Sequence, residues 1–307
     1  MVIISITVAA IVVAAAFFIS NSSTTLVPGS SLQSKLKQDQ TANQSAYHKA
    51  PVNANITITN SLMANDTLVI SSQALSILPK TGVYVPLYIY PTSPYWDAVI
   101  NAKLAHPSVP IVVTINPSSG VGSSKHSDYV NGVNRLKSAG IVVLGYVYTK
   151  YGARSVSSIE SEITAYKNWY NVDGIMLDEM SARIGHEQYY KNLTAYAKAM
   201  GMKFVKGNPG RDVPQSYIGT VDNISIYENA DMHGRLNLPG WYSNFDKRNF
   251  SFIIYGAPSL NSTLVANATH DVGLMYITNG IPPNPYDTIP PYFEDLVAAL
   301  DVKEKFR

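Results

Sequence analysis

The 307-residue chain has no cysteine, which excludes disulfides, thiolate metal sites and a cysteine nucleophile. It is poor in charge. Asp, Glu, Lys and Arg make up 14% of it, against about 25% in ordinary globular chains. The net charge of +2 sets up no field that would draw in nucleic acid. Six histidines are scattered without His-x-His or His-Glu-x-x-His spacing, so no zinc site is expected. Gly120-Val-Gly122 lacks both the Lys-Ser/Thr of a phosphate loop and the third glycine of a dinucleotide fingerprint. No Gly-x-Ser-x-Gly elbow points to a serine hydrolase. Neither a metal nor an organic cofactor is expected.

What is present is uncharged polarity, with 21 tyrosines and many Asn, Ser and Thr. Such a surface suits a protein outside the cytoplasm and suits sugars, whose ring faces stack on aromatic side chains. Met1–Ile19 is an almost wholly apolar run without charge, close to the ~20 residues that span a bilayer. Residues 1–20 are therefore expected to be a signal peptide or an uncleaved anchor, placing the rest outside the cytoplasm, secreted or membrane-tethered. Lys35 and Lys37, following the run with no basic residue before it, weakly oppose that orientation. Asn-x-Ser/Thr sequons at Asn21, Asn43, Asn55, Asn65, Asn192, Asn223, Asn249, Asn261 and Asn267 favour it. Residues 21–79 read as a Ser/Thr/Asn-rich linker with some strand-like alternation over 54–79.

Between residues 82 and 278, within a barrel expected over 80–307, the chain repeats one unit eight times: an apolar run, a polar or Gly-rich end, then a helical stretch. The runs are Val83–Tyr90, Ile111–Asn116, Ile141–Thr149, Gly174–Glu179, Lys203–Asn208, Asn223–Glu228, Ser251–Tyr255 and Val272–Thr278. Strands alternating with helices indicate a parallel sheet, and eight units fit an α/β fold of the (β/α)8, or TIM-barrel, type. Apolar stripes predict helices over Ser127–Gly140, Ser155–Tyr170, Glu187–Met200 and Pro291–Phe306, whereas Gly210–Asp222 and Asn229–Asn249 look irregular.

A barrel places chemistry at its C-terminal strand ends, and three acids stand there: Asp178 and Glu179 after the fourth run, Glu228 after the sixth. Adjacent strand residues face opposite ways, so Asp178 and Glu179 cannot both enter the barrel unless the chain has already turned. Strands lie ~4.8 Å apart, so acids leaning inward from the fourth and sixth strands could close to the ~5–9.5 Å that glycoside hydrolysis requires. Cleaving an acetal needs a proton for the leaving oxygen and a base or nucleophile at the anomeric carbon, which two carboxyl groups supply. The bland alternative is that strand-end acids make salt bridges or cap helices. Tyr88, Tyr90, Asn116, Tyr146, Arg154, Asn208 and Tyr276 also end or follow strands and are candidate sugar contacts. In the second run Thr114 and Asn116 share one face, expected to be the inward one, with the isoleucines outward.

The segments YIYP, NPSSG, GYVYTKYGAR, DGIMLDE, NPG and IYE, in that order, resemble the spherulin 4 family (spherulation-specific family 4), most strongly over residues 83–230. That family is similar to secreted (β/α)8 hydrolases acting on α-1,4-linked galactosamine or N-acetylgalactosamine polymers of microbial exopolysaccharide. The resemblance implies that Asp178 and Glu179 match the family's Asp-Glu pair and Glu228 its later site Glu. Val121 stands where the family pattern has Pro, and Met176-Leu177 replaces a more aromatic strand. Residues and resemblance together lead to the expectation of an endo-acting glycosidase with a polysaccharide partner, Asp178 and Glu228 working and Glu179 positioning. The competing expectation is a silent carbohydrate-binding or cell-surface structural protein on the same barrel. A deacetylase would need a metal triad that the sequence does not provide.

Overall fold

A computed structural model describes residues 80–230 and 240–301, all within one compact unit. The expected leader and linker, residues 1–79, lie outside the described residues. Each of the eight runs forms a strand: β1 (Gly82–Leu87), β2 (Ile111–Ile115), β3 (Val142–Tyr148), β4 (Gly174–Asp178), β5 (Phe204–Asn208), β6 (Asn223–Asn229), β7 (Phe250–Ile254) and β8 (Leu274–Ile277). They pair in parallel in chain order, and β8 returns to β1 to close the barrel. The runs are rich in Val and Ile, which fit a pleated surface buried on both sides.

Among the described residues six α-helices wrap the strands: α1 (Tyr95–Ala105), α2 (Ser127–Ser138), α3 (Val156–Tyr170), α4 (Glu187–Ala199), α5 (Ser262–Ala268) and α6 (Phe293–Leu300). Local chemistry sets their ends. The Ser155 hydroxyl accepts from the Ser158 amide at 3.3 Å at the start of α3, and Asn171 closes that helix in the left-handed region. Gly140, at φ +81°, stops the chain just after α2. The connection after β5 holds a single 3-10 turn, Gln215–Tyr217, and the described part after β6 holds two, Gly240–Asn244 and Lys247–Asn249. These are the two connections expected to be irregular.

The layer between strands and helices is tightly packed. Trp96 of α1 is wholly buried and donates its indole N–H to the Ile89 carbonyl at 3.0 Å. A Cβ on Gly132 of α2 would come within 2.6 Å of that ring, so only glycine lets the two helices approach this closely. Burying such large side chains is worth roughly 1.5–3 kcal/mol each. Burial also disposes of one sequon: Asn223 is fully buried and donates to the Arg248 carbonyl, so it cannot accept a glycan in the folded barrel. No helix among the described residues is long and apolar enough to cross a membrane.

One irregularity aims the site. The β6–β7 register slips between Ser225 and Tyr227, a bulge at Ile226. Strict alternation would send Ser225 and Glu228, three apart, to opposite faces. The extra residue resets the parity, and both side chains turn inward.

Candidate active site

Strand ends β4, β5 and β6 bring Asp178, Asn208 and Glu228 together in that order around the mouth. The Asn208 amide nitrogen donates to Asp178 Oδ1 at 2.9 Å and to Glu228 Oε2 at 2.7 Å. The two carboxylate oxygens therefore lie no further apart than those two lengths laid end to end. Both acceptors are carboxylates, so the amide must face them with its nitrogen. Its oxygen is buried and has no protein partner.

The outer oxygens are held by tyrosines. Tyr146 of β3 donates to Asp178 Oδ2 at 2.8 Å, and Tyr286, in the loop after β8, donates to Glu228 Oε1. Tyr88, one residue past β1, stands between them, edge-on to both rings with centroids 5.6 Å away in each case. Burial, and next the nearby carboxylates, push the Tyr146 and Tyr286 hydroxyls far above the usual phenol range. Tyr88 is raised as well, by burial first. The hydroxyls of Tyr146 and Tyr286 thus stay neutral donors at every working pH and cannot serve as bases.

The backbone that carries Asp178 is pinned on both sides. The Thr149 amide and hydroxyl donate to the Asp178 carbonyl at 2.8 and 3.0 Å, and the Met180 amide donates to the Asn208 carbonyl at 3.0 Å. Glu179 sits at φ +48°, and Lys150 and Tyr151 opposite it at +51° and +54°, conformations costing roughly 1–3 kcal/mol each for such residues. The Tyr151 amide donates to the Glu179 carbonyl at 2.7 Å, locking the two strained turns together. Beside Glu228, Gly210 adopts φ +63°, and a Cβ there would lie 3.4 Å from that of Glu228.

Residues 82–300 match the profile of spherulation-specific family 4. The chain belongs to that family. Spherulin-4 of Physarum polycephalum is 36% identical over 211 residues, a match spanning 64% of this chain and 62% of that relative's length. The crystal structure of Aspergillus clavatus Sph3 in complex with GalNAc is similar with a TM-score of 0.65 at 25% identity, covering 73% of this chain and 98% of that one.

In this family member the expected site residues divide into two groups. Asp178, Glu228, Asn208, Tyr146 and Tyr88 come together. Glu179 does not join them directly. The chain has begun to turn at its positive φ, and what the turn engages is its carbonyl, bonded to the Tyr151 amide and the Thr149 hydroxyl. Asn116 follows the last residue of β2, and its Oδ1 accepts from the Gly120 amide at 2.8 Å, closing its own loop.

Three expected sugar contacts lie elsewhere. β1 ends at Leu87, so Tyr90 does not follow the parity of Tyr88; it is half exposed and donates to Asp128 of α2 at 2.7 Å. Arg154 turns back to the Tyr148 carbonyl at 2.7 Å, lies over the Tyr148 ring and pairs with Glu162 of α3. Tyr276 points inward, but at 0% exposure it cannot stack on a sugar; its ring backs Tyr286. Sequence reasoning passed over Tyr286, because a Pro-rich loop carries no periodicity to place it. It also passed over Lys206, although that residue shares the face of Asn208 two positions on.

Proposed function

We propose that this chain is a glycoside hydrolase acting on amino-sugar polysaccharide through Asp178 and Glu228. The observation that carries this is the single amide nitrogen bridging their oxygens. It holds the carboxyls at a spacing close to the ~5–5.5 Å of retaining glycosidases and short of the ~6.5–9.5 Å of inverting ones. In the retaining course one carboxylate attacks the anomeric carbon as the other gives its proton to the leaving oxygen. The second group then takes a proton from water as that water displaces the enzyme–sugar ester. Asn208, Tyr146 and Tyr286 hold both groups for this sequence of steps by neutral bonds alone.

The GalNAc held by Sph3 supports a galactosamine-type substrate, and the α-1,4 linkage is the one the family resemblance implies. Large side chains exposed on loops around the mouth, Tyr151 after β3, Ile184 after β4 and Ile281 after β8, support contact beyond one sugar and hence endo action. The apolar run at residues 1–19 and the charge-poor composition support a place outside the cytoplasm, secreted or anchored through residues 1–20.

The test is reducing-end release by the full chain from partly deacetylated α-1,4-galactosaminogalactan, with Asp178→Asn and Glu228→Gln alongside. Release by the parent that both folded variants lose supports the reading. Retention of the polymer without release would replace it with a carbohydrate-binding function. With an activated aryl leaving group, the variant lacking the proton donor recovers the first step, and the variant lacking the nucleophile does not.

A further inference from the structure

Beneath the carboxyl pair lies a lysine that the proposed hydrolysis does not use. Lys206 of β5 precedes Asn208 by two residues on the same inward face, and it is wholly buried. Its ammonium donates to Ser251 Oγ at 2.7 Å and to Ser225 Oγ, and it lies 4.5 Å from the centroid of the Tyr84 ring. Ser251 in turn donates to Asn223 Oδ1 at 2.7 Å. A buried ammonium without a carboxylate in contact carries a heavy desolvation penalty, where barrels usually stack branched apolar side chains.

The surroundings of Lys206 can be taken strand by strand. Tyr84 on β1, Asp178 on β4 and Glu228 on β6 are the titratable groups that face it; β2 offers Thr114 and β7 Ser251, which do not titrate. Around the pair itself stand Tyr88, Tyr146 of β3 and Tyr286, the last backed by Tyr276 of β8. Burial lowers Lys206 to about 7, while Glu228 and then Asp178 pull it upward. No ion pair reaches either acid among the described residues, and Lys206 and the two acids act on one another through space.

We propose that Lys206 is a positioning residue whose buried charge holds Asp178 and Glu228 in the protonation balance hydrolysis needs, one ionised and one carrying its proton. Two carboxylates this close repel each other, and a cation one layer beneath them on the same inward face attracts both. The inference rests on the glycosidase reading for its purpose but not for its measurement.

The test follows the carboxyl 13C shifts of Asp178 and Glu228 with pH in the full chain, in the parent, Lys206→Met and Lys206→Gln. The glutamine variant keeps a donor for the two serines, in case methionine does not fold. Expected is an upward move of about one pH unit in the pair's titrations in both variants, with the pH optimum for polymer cleavage moving the same way. Titrations that stay in place in folded variants, whatever happens to thermal stability, would overturn the proposal and leave Lys206 a scaffold residue. A parent that cleaves no polymer would remove the hydrolase reading while the 13C titrations still decide the role of Lys206.

Discussion

At the two ends of this barrel acidic side chains meet opposite company. At the N-terminal end, Asp173 just before β4 accepts from the Val143 amide at 3.0 Å and pairs with Lys137 at 2.9 Å. Asp222 just before β6 repeats the device, accepting from the Val205 amide at 2.7 Å and pairing with Lys198 at 2.6 Å. Each lysine comes from the last turn of a helix, α2 or α4, and also bonds a loop carbonyl, that of Asn171 or Lys203. At the C-terminal end, no lysine or arginine among the described residues touches Asp178 or Glu228, which are held by a shared amide and two tyrosine hydroxyls. The acids at the N-terminal end are spent on backbone amides and lysines and serve the fold. Those at the C-terminal end are held by neutral donors at the mouth, where a barrel does its chemistry. Left-handed backbone occurs at both ends, at Asn171 near Asp173 and at Lys150, Tyr151 and Glu179 beside the site acids, but asparagine tolerates it and the three residues at the mouth do so less readily.

The largest effects should come from breaking the comparison at the mouth. Asp178→Asn should cut polymer cleavage by about a thousandfold or more while the thermal midpoint stays or rises, because one of two neighbouring like charges is gone. A large fall in the midpoint would mean that Asp178 belongs with the structural acids. Next in size are the hydroxyls. Tyr286→Phe and Tyr146→Phe each remove a bond to a charged group worth about 1.5–3 kcal/mol, so kcat should drop roughly ten- to a hundredfold. The rings remain, and KM should change little.

At the other end the signs reverse. Asp173→Ala leaves the buried Val143 amide unpaired and should cost about 1–3 kcal/mol by denaturant unfolding. The ion pair with Lys137 adds little, being partly exposed. Cleavage kinetics of the folded fraction should match the parent. A catalytic defect in Asp173→Ala would erase the distinction between the two ends.

How much of this was written in the sequence differs between the two ends. Eight apolar runs, each closed by polar or turn residues, were enough for the barrel, because strand length and punctuation are local properties. Parity within a strand placed Thr114 inward, where its hydroxyl meets that of Tyr84. Glu228 was singled out at the end of its run without the bulge at Ile226 that aims it, since a register slip arises from pairing with β7 and leaves no trace in Asn-Ile-Ser-Ile-Tyr-Glu. Tyr90 and Arg154 had suitable chemistry but wrong directions, because both lie past strand ends, where parity lapses. Lys206 could have been found: it shares parity with Asn208, and a lysine facing into a barrel is unusual enough to mark. Tyr286 could not, since its position depends on how a Pro-rich loop folds back over the mouth.

The smallest effect concerns Asp301, the last described residue, whose place after α6 ties the end of the barrel to its beginning. It accepts from Ser108 Oγ and from His106 Nδ1 at 3.0 Å, with the Lys80 ammonium at 3.8 Å. The Ser108 bond first, and the His106 bond next, hold its carboxyl below the usual range. A carboxyl lowered in the folded state binds its proton more weakly there than in the unfolded chain. Its contribution is therefore fully present above the ordinary carboxylate value of about 3.9 and fades as pH falls through the folded one. Asp301→Asn should lie slightly below the parent in thermal midpoint at pH 5 to 7 and merge with it in stronger acid, with cleavage unaltered. Curves that stay parallel down to pH 2 would show that the amide loses geometry and not charge. Asp301 would then resemble Asp173 and Asp222, which hold the same end of the barrel chiefly through the backbone amides that donate to them.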